Sequence, residues 1–161
     1  MHTFSTTRES EIVVGADRGA LWDALTDPDL LARLTPLLQR IDADGDVWRW
    51  HMAGVSVLGV GISPAFTEKM AFDPQRRIGY THSPPTGVVE RTGADGWYSL
   101  DDDPSGTRLG ISLTLRVELP LARITAPAVV TAMNATLQRT GDRFTANLLR
   151  HLGITPRWDG S

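Results

Sequence analysis

The sequence predicts an α+β chain in which a curved antiparallel sheet closes over one long C-terminal helix, with two short helices set after the first strand. Three patterns support this. Between about Thr125 and Leu152 the residues Val130, Met133, Leu137, Phe144, Leu148 and Leu152 recur at steps of three, four or seven, so they share one helical face. Leu109, Ile111, Leu113, Leu115, Val117 and Leu119 alternate with Gly110, Ser112, Thr114, Arg116 and Glu118, which makes a strand with one apolar and one wet face. Two short apolar groups, Leu21-Trp22-Leu25 and Leu30-Leu31-Leu34, each follow an aspartate able to cap a helix. At 1.5 Å per residue the last helix would run about 40 Å, so it needs a partner as long as itself. The alternating strand and its neighbours supply one.

In chain order, residues Phe4 to Val14 read as an opening strand closed by Gly15. Asp17 caps the first short helix, and Asp27 before Pro28 starts the second, which ends at Pro36. Strands follow from Leu37 to Ala43 and, after the Asp44-Gly45-Asp46 turn, from Val47 to Ala53, with Trp48, Trp50 and Met52 on one face and Arg49 and His51 on the other. Gly54, Gly59, Gly61 and Ser63-Pro64 predict a bent or bulged strand or a loop. Alternation returns at Phe66, Met70 and Phe72, turns at Asp73-Pro74 into Arg77 to His82, and turns again over Ser83 to Gly87. Val88 to Leu100 is expected as a strand interrupted near Gly93 to Gly96, and Thr107 to Leu119 completes the series. Thr125 is the expected N-cap of the long helix, with Pro127 in its first turn and Gly153 just past its end.

Composition narrows the function. With 161 residues, 41% of them hydrophobic, the chain can build a sizeable core, and no stretch has the length of a membrane span. A formal charge of −3 with interspersed signs leaves no basic footprint for nucleic acid or an anionic membrane surface. Asp101 to Asp103, ahead of Pro104-Ser105-Gly106, reads as a solvated turn. The absence of cysteine removes thiol nucleophiles, disulfides and thiolate metal sites, and a reducing cytoplasm is the expected location. No basic region followed by an apolar run marks a signal peptide at the N-terminus. His2, His51, His82 and His151 lack zinc-site spacing, so no metal is expected, and neither a phosphate loop nor a Gly-x-Ser-x-Gly elbow occurs. Arg139, Arg143 and Arg150 fall on the polar side of the long helix, a solvated face or a rim for an acidic ligand.

Strand parity points to one polar group among the inward positions. If Phe66, Met70 and Phe72 face inward, so does Glu68; if Ile78 and Tyr80 do, His82 follows. A turn from Asp73 to Arg77 sets Phe72 opposite Ile78, Met70 opposite Tyr80 and Glu68 opposite His82. Parity from Val88 brings in Glu90, and a turn at Pro85 would carry it near Tyr80. The candidate catalytic cluster is therefore Glu68, Tyr80, His82 and Glu90, since a carboxylate and an imidazole in an apolar space tune one another for proton transfer. A paired Glu and His that merely satisfy each other is the competing interpretation.

The stretch Leu21-Trp22-Asp23-Ala24-Leu25-Thr26-Asp27-Pro28-Asp29-Leu30-Leu31, followed by a strand, the Gly45 turn and the Trp48 strand, resembles the opening of the START-like or SRPBCC superfamily. That group shares the helix-grip fold also seen in birch-pollen-type allergens, and includes polyketide cyclases and dehydratases and lipid carriers. The resemblance runs to about Gly153, so residues 1–153 are expected to form one domain and 154–161 a tail. It implies a cavity between sheet and long helix, lined by Trp48, Trp50, Phe66, Met70, Tyr80, Tyr98, Ile111, Leu113, Met133, Leu137, Gly141 and Phe144. Small Thr140 and Gly141 leave room there, although the aromatic residues would also suffice to fill it. The expected function is binding or transport of a hydrophobic small molecule such as a lipid, quinone or polyketide, without a cofactor. A cyclase, aromatase or dehydratase acting in the same cavity is the alternative, and a protein-interaction module like the chaperone co-activators a weaker one. A monomer or homodimer is expected, without nucleic acid or membrane insertion.

Overall fold

A computed structural model describes residues 1–154. The expected tail from Thr155 to Ser161 lies outside the described residues. Strand β1 (His2–Val14) is followed by α1 (Arg18–Leu25) and α2 (Pro28–Leu34). Then come β2 (Leu38–Asp44), β3 (Val47–Met52), a hairpin of β4 (Val55–Val57) and β5 (Val60–Ile62), β6 (Ala65–Asp73), β7 (Arg77–His82), β8 (Thr92–Asp103) and β9 (Gly106–Leu119). A short 3-10 turn leads into α3 (Ala126–His151). The seven long strands form one antiparallel sheet in the order β1-β9-β8-β7-β6-β3-β2, while among the described residues β4 and β5 pair only with each other.

Local chemistry accounts for the helix starts. The Asp17 carboxylate accepts from the Ala20 amide at 2.8 Å, and that of Asp27 from the Leu30 amide at 3.1 Å with Pro28 in the first turn. Helix α3 starts differently from expectation, because the Thr125 hydroxyl donates back to the Ala122 carbonyl and makes no cap. The preceding 3-10 turn and Pro127 launch the helix instead. At the far end Gly153 takes φ of +73°, where a glycine avoids the Cβ clash.

Four other expectations are corrected. Val129, not Val130, is the buried valine of α3, and Leu149 joins Met133, Phe144 and Leu148 in the core. Strand β8 runs unbroken through Gly93 and Gly96 and starts at Thr92, whereas Val88 and Val89 are exposed loop residues. The Asp101 to Asp103 run ends that strand, and only Pro104 and Ser105 form the turn to β9. The glycine-rich stretch is the β4–β5 hairpin, whose tip residues Leu58 and Gly59 have φ of +47° and +84°, the signs a tight two-residue hairpin turn demands.

The core lies in two parts. Leu21, Leu25, Leu31, Ile78, Leu100 and Leu109 pack with Phe144, Leu148 and Leu149 beneath α1, α2 and the C-terminal half of α3. Phe4, Val117, Leu119, Val129 and Met133 form a second cluster at the other end, covered by Val57, Val60 and Ile62 of the hairpin. Each fully buried Leu or Ile contributes roughly 1.5–3 kcal/mol. Along α3 the large side chains therefore grip the sheet at both ends. The middle carries Thr136, Leu137, Thr140 and Gly141, which are only half-buried.

Candidate functional site

Between these two clusters the sheet and α3 enclose a cavity of about 1610 Å³. Its sheet wall is built from six of the seven strands, all but β2, and includes Trp50, Phe66, Tyr80, Ala94, Tyr98, Ile111 and Leu113. Its roof is Met133, Leu137, Gly141 and Phe144 of α3, with Val55, Val57 and Ile62 of the hairpin at one end. Ten of the twelve residues expected to line such a space do so. Met70 is instead core, and Trp48 turns its indole N–H to the Gly45 carbonyl at 3.1 Å and packs on Phe72, 5.9 Å between ring centroids. Trp48 and Phe72 border a small surface groove with Trp22 and Pro28, because α1 and α2 close that end of the sheet.

The candidate catalytic cluster divides. The register is as predicted, with Glu68 opposite His82, Met70 opposite Tyr80 and Phe72 opposite Ile78. Glu68 and Tyr80 line the cavity. Glu90, however, stands in the β7–β8 loop, where its carboxylate accepts from the Thr67 amide and hydroxyl, both at 2.8 Å, and from His82 Nε2 at 3.0 Å, with Arg49 at 3.6 Å. Thr67 and Arg49 alternate with the cavity-lining residues, so this network occupies the opposite face of the sheet. His82 reaches that face because β7 stops pairing with β8 after Tyr80 and its ring lies over Gly93, where a Cβ would overlap it. Parity from Val88 does not extend to Glu90, because the segment from Ser83 to Arg91 is a loop with no alternation to follow.

Electrostatics separates the two carboxylates further. Glu68 is 1% exposed, and among the described residues neither oxygen makes a well-formed hydrogen bond, the Ala94 amide approaching it only in poor geometry. Burial pushes its carboxyl up to about 8, Asp95 adds to the rise, and the Ala94 amide and Arg116 pull back by less. Burial also works to raise Glu90, but the hydrogen bonds from Thr67 and His82 outweigh it and hold that carboxyl below the usual range. Tyr80 donates its hydroxyl to the Ser112 carbonyl at 3.0 Å and is held well above the ordinary phenol value by burial.

The outer network pins the β7–β8 loop, which gives a direct expectation. Glu90→Ala leaves the Thr67 amide and Arg49 without their acceptor under a side chain only 2% exposed, and should cost about 2–3 kcal/mol. Urea unfolding measures this; a loss under 0.5 kcal/mol would show that the loop is held by other means.

Sequence reasoning missed the polar residues of β1. Thr6, Arg8 and Ser10 share parity with buried Phe4 and Val14, a signal present in the sequence, and Arg8 and Ser10 line the cavity. Thr6 hydrogen-bonds Asn134 of α3, and Arg8 faces Asp142 at 3.8 Å beside Gly141, where a Cβ would lie at ordinary contact distance from the guanidinium. Among the described residues no group of His, Asp or Glu side chains could hold a metal ion, and no helix is long and apolar enough to cross a membrane.

A long helix gripped by a curved antiparallel sheet over an apolar cavity defines a helix-grip protein. The family model described as polyketide cyclase / dehydrase and lipid transport matches residues 1–152, and the chain belongs to that family. Solved structures share the fold at low identity. The Zhui aromatase/cyclase from Streptomyces sp. R1128 is 16% identical with a TM-score of 0.60, over 99% of each chain. A Staphylococcus aureus protein of unknown function is 13% identical with a TM-score of 0.62, over 94% of this chain and 98% of that one. An AHSA1-like protein from Aeromonas hydrophila is 17% identical with a TM-score of 0.56, over 97% and 100%. No curated protein matches the chain.

Proposed function

We propose that the protein binds a hydrophobic small molecule, of lipid, quinone or polyketide-like character, in the cavity between the sheet and α3. One observation carries the reading: α3 is packed by large side chains at both ends and hollow between them. A cavity of about 1610 Å³ walled mainly by aliphatic and aromatic side chains holds a ligand of several rings or a long acyl chain. Native mass spectrometry of the fresh protein against its denatured mass should show non-covalent cargo or uptake of offered apolar ligands. Gly141→Leu provides the control. Its Cβ would meet only Arg8, at 3.9 Å, so the new side chain grows into open space and the helix gains propensity. Ligand uptake should fall at least tenfold with the melting temperature unchanged or raised. An apo mass that persists with every ligand class offered would end this reading.

A second reading, chemistry on the bound ligand, is favoured by Glu68. A carboxyl that keeps its proton near neutral pH lends it to a ligand oxygen and recovers it afterwards, the work a cyclase or dehydratase needs. Tyr80 positions the wall through its bond to Ser112, while His82 and Glu90 take no part. Glu68→Gln should then bind a polyketide-like substrate and not turn it over; equal turnover would leave binding alone.

A further inference from the structure

Among the described residues the cavity wall holds two buried polar groups without a well-formed hydrogen bond, and they are neighbours in the sheet register. Glu68 carries two unpaired oxygens and Trp50 an unpaired indole N–H, and both residues line the cavity. In the β3–β6 register Trp48 stands opposite Glu68 and Trp50 opposite Phe66, so Glu68 and Trp50 are diagonal neighbours on one face, about 7–8 Å apart. The Trp50 ring is fixed by stacking on Phe66, with centroids 6.4 Å and planes 6° apart. An unpaired buried polar group normally costs 1–3 kcal/mol, so two together on a cavity wall call for a partner that arrives from outside.

We propose that Glu68 and Trp50 form one polar anchor that takes the uncharged carbonyl end of an otherwise apolar ligand, an inference that rests on the cavity being a binding site. The donor inventory selects that class. Trp50 can only donate, so an ammonium, which also only donates, would satisfy Glu68 and leave the indole N–H unpaired. A ligand carboxylate would satisfy Trp50 and set one acid against another. A ketone or quinone oxygen accepts from the indole N–H and from the carboxyl O–H together. The charged groups around Glu68 favour the same state. Asp95 of β8 raises its carboxyl, Arg116 of β9 lowers it by less, Glu90 of the β7–β8 loop adds a smaller rise, Tyr80 of β7 presents a neutral hydroxyl, and Arg8 of β1 and Asp142 of α3 pair with each other at 3.8 Å. Glu68 is therefore a donor below about pH 8.

The test uses the full chain and four fluorescent probes with one skeleton: pyrene, 1-acetylpyrene, 1-pyrenemethylamine and 1-pyreneacetic acid. At pH 6.5 the ketone should bind about tenfold more tightly than pyrene, the equivalent of one added hydrogen bond. Glu68→Leu should erase that preference and Trp50→Phe reduce it, while Glu68→Gln, whose amide N–H still donates, should keep it. Ketone affinity should fall above about pH 8 in the parent protein and stay level in Glu68→Gln. Equal binding of ketone and hydrocarbon, or an amine that binds tightest and improves as pH rises, overturns the anchor. Failure of all four probes, pyrene included, overturns the binding reading and the anchor with it.

Discussion

Replacing Glu68 by Gln is expected to flatten a stability profile that, in the parent protein, falls steeply between about pH 5 and pH 8. The carboxyl titrates near its ordinary 4.5 in the unfolded chain and at about 8 in the fold, where burial and Asp95 disfavour its charge. Below 4.5 both states hold the proton and the group costs no electrostatic energy. Between 4.5 and 8 only the unfolded chain releases it, so every pH unit in that window weakens the fold. Above 8 both states release it and the cost is constant. At about 1.4 kcal/mol per unit the full penalty is on the order of 5 kcal/mol. Glu90 and Asp95 act in the opposite sense: hydrogen bonds hold both below the usual range against the pull of burial, so they stabilise above that range and lose the contribution as acid protonates them. Comparing parent and variant cancels those terms. Urea unfolding at pH 5, 6.5 and 8.5 should show Glu68→Gln within about 1 kcal/mol of the parent at pH 5 and clearly more stable at pH 8.5. Parallel profiles would mean that water or a partner solvates the carboxylate.

Gly96→Ala should destabilise the protein by at least about 3 kcal/mol, at the upper end of what overpacking costs. A Cβ there would overlap the Ser112 carbonyl oxygen of β9 and lie 2.6 Å from the Tyr80 hydroxyl. Both atoms belong to one hydrogen bond, Tyr80 to Ser112, which joins β7 to β9 across the glycine. The obstruction is backbone on one side and a buried ring on the other, so neither yields cheaply. Gly141→Leu is the matched contrast, because the same residue type there opens on empty space. A Gly96→Ala loss below 1 kcal/mol in chemical denaturation would show that the strands separate locally at little cost, and that the cavity wall is softer than its packing implies.

Gly93 and Gly96 show what a glycine inside a strand leaves open in the sequence. In the sequence Gly93 and Gly96 predict an interruption of the strand, the usual meaning of glycine among alternating residues. Both instead give space to a neighbour's side chain, Tyr80 over one and His82 over the other. Parity placed Glu68 inward correctly because Phe66, Met70 and the turn at Asp73 to Arg77 keep β6 and β7 in register. It misplaced Glu90, because a loop carries no period.

By itself, the sequence determined what repeats locally. Period-two and period-3.6 patterns and the Asp17 and Asp27 caps specified the strands, the short helices and the long one, and with them the helix-grip fold. Only the tertiary structure decided that the space under α3 is hollow, that His82 and Glu90 bond each other on the far face, and that Glu68 and Trp50, diagonal on one sheet face, lack well-formed partners among the described residues. The physical reason is that an element's pattern is written in its own neighbours along the chain. A cavity or an unpaired group is defined by which atoms from distant strands fail to arrive.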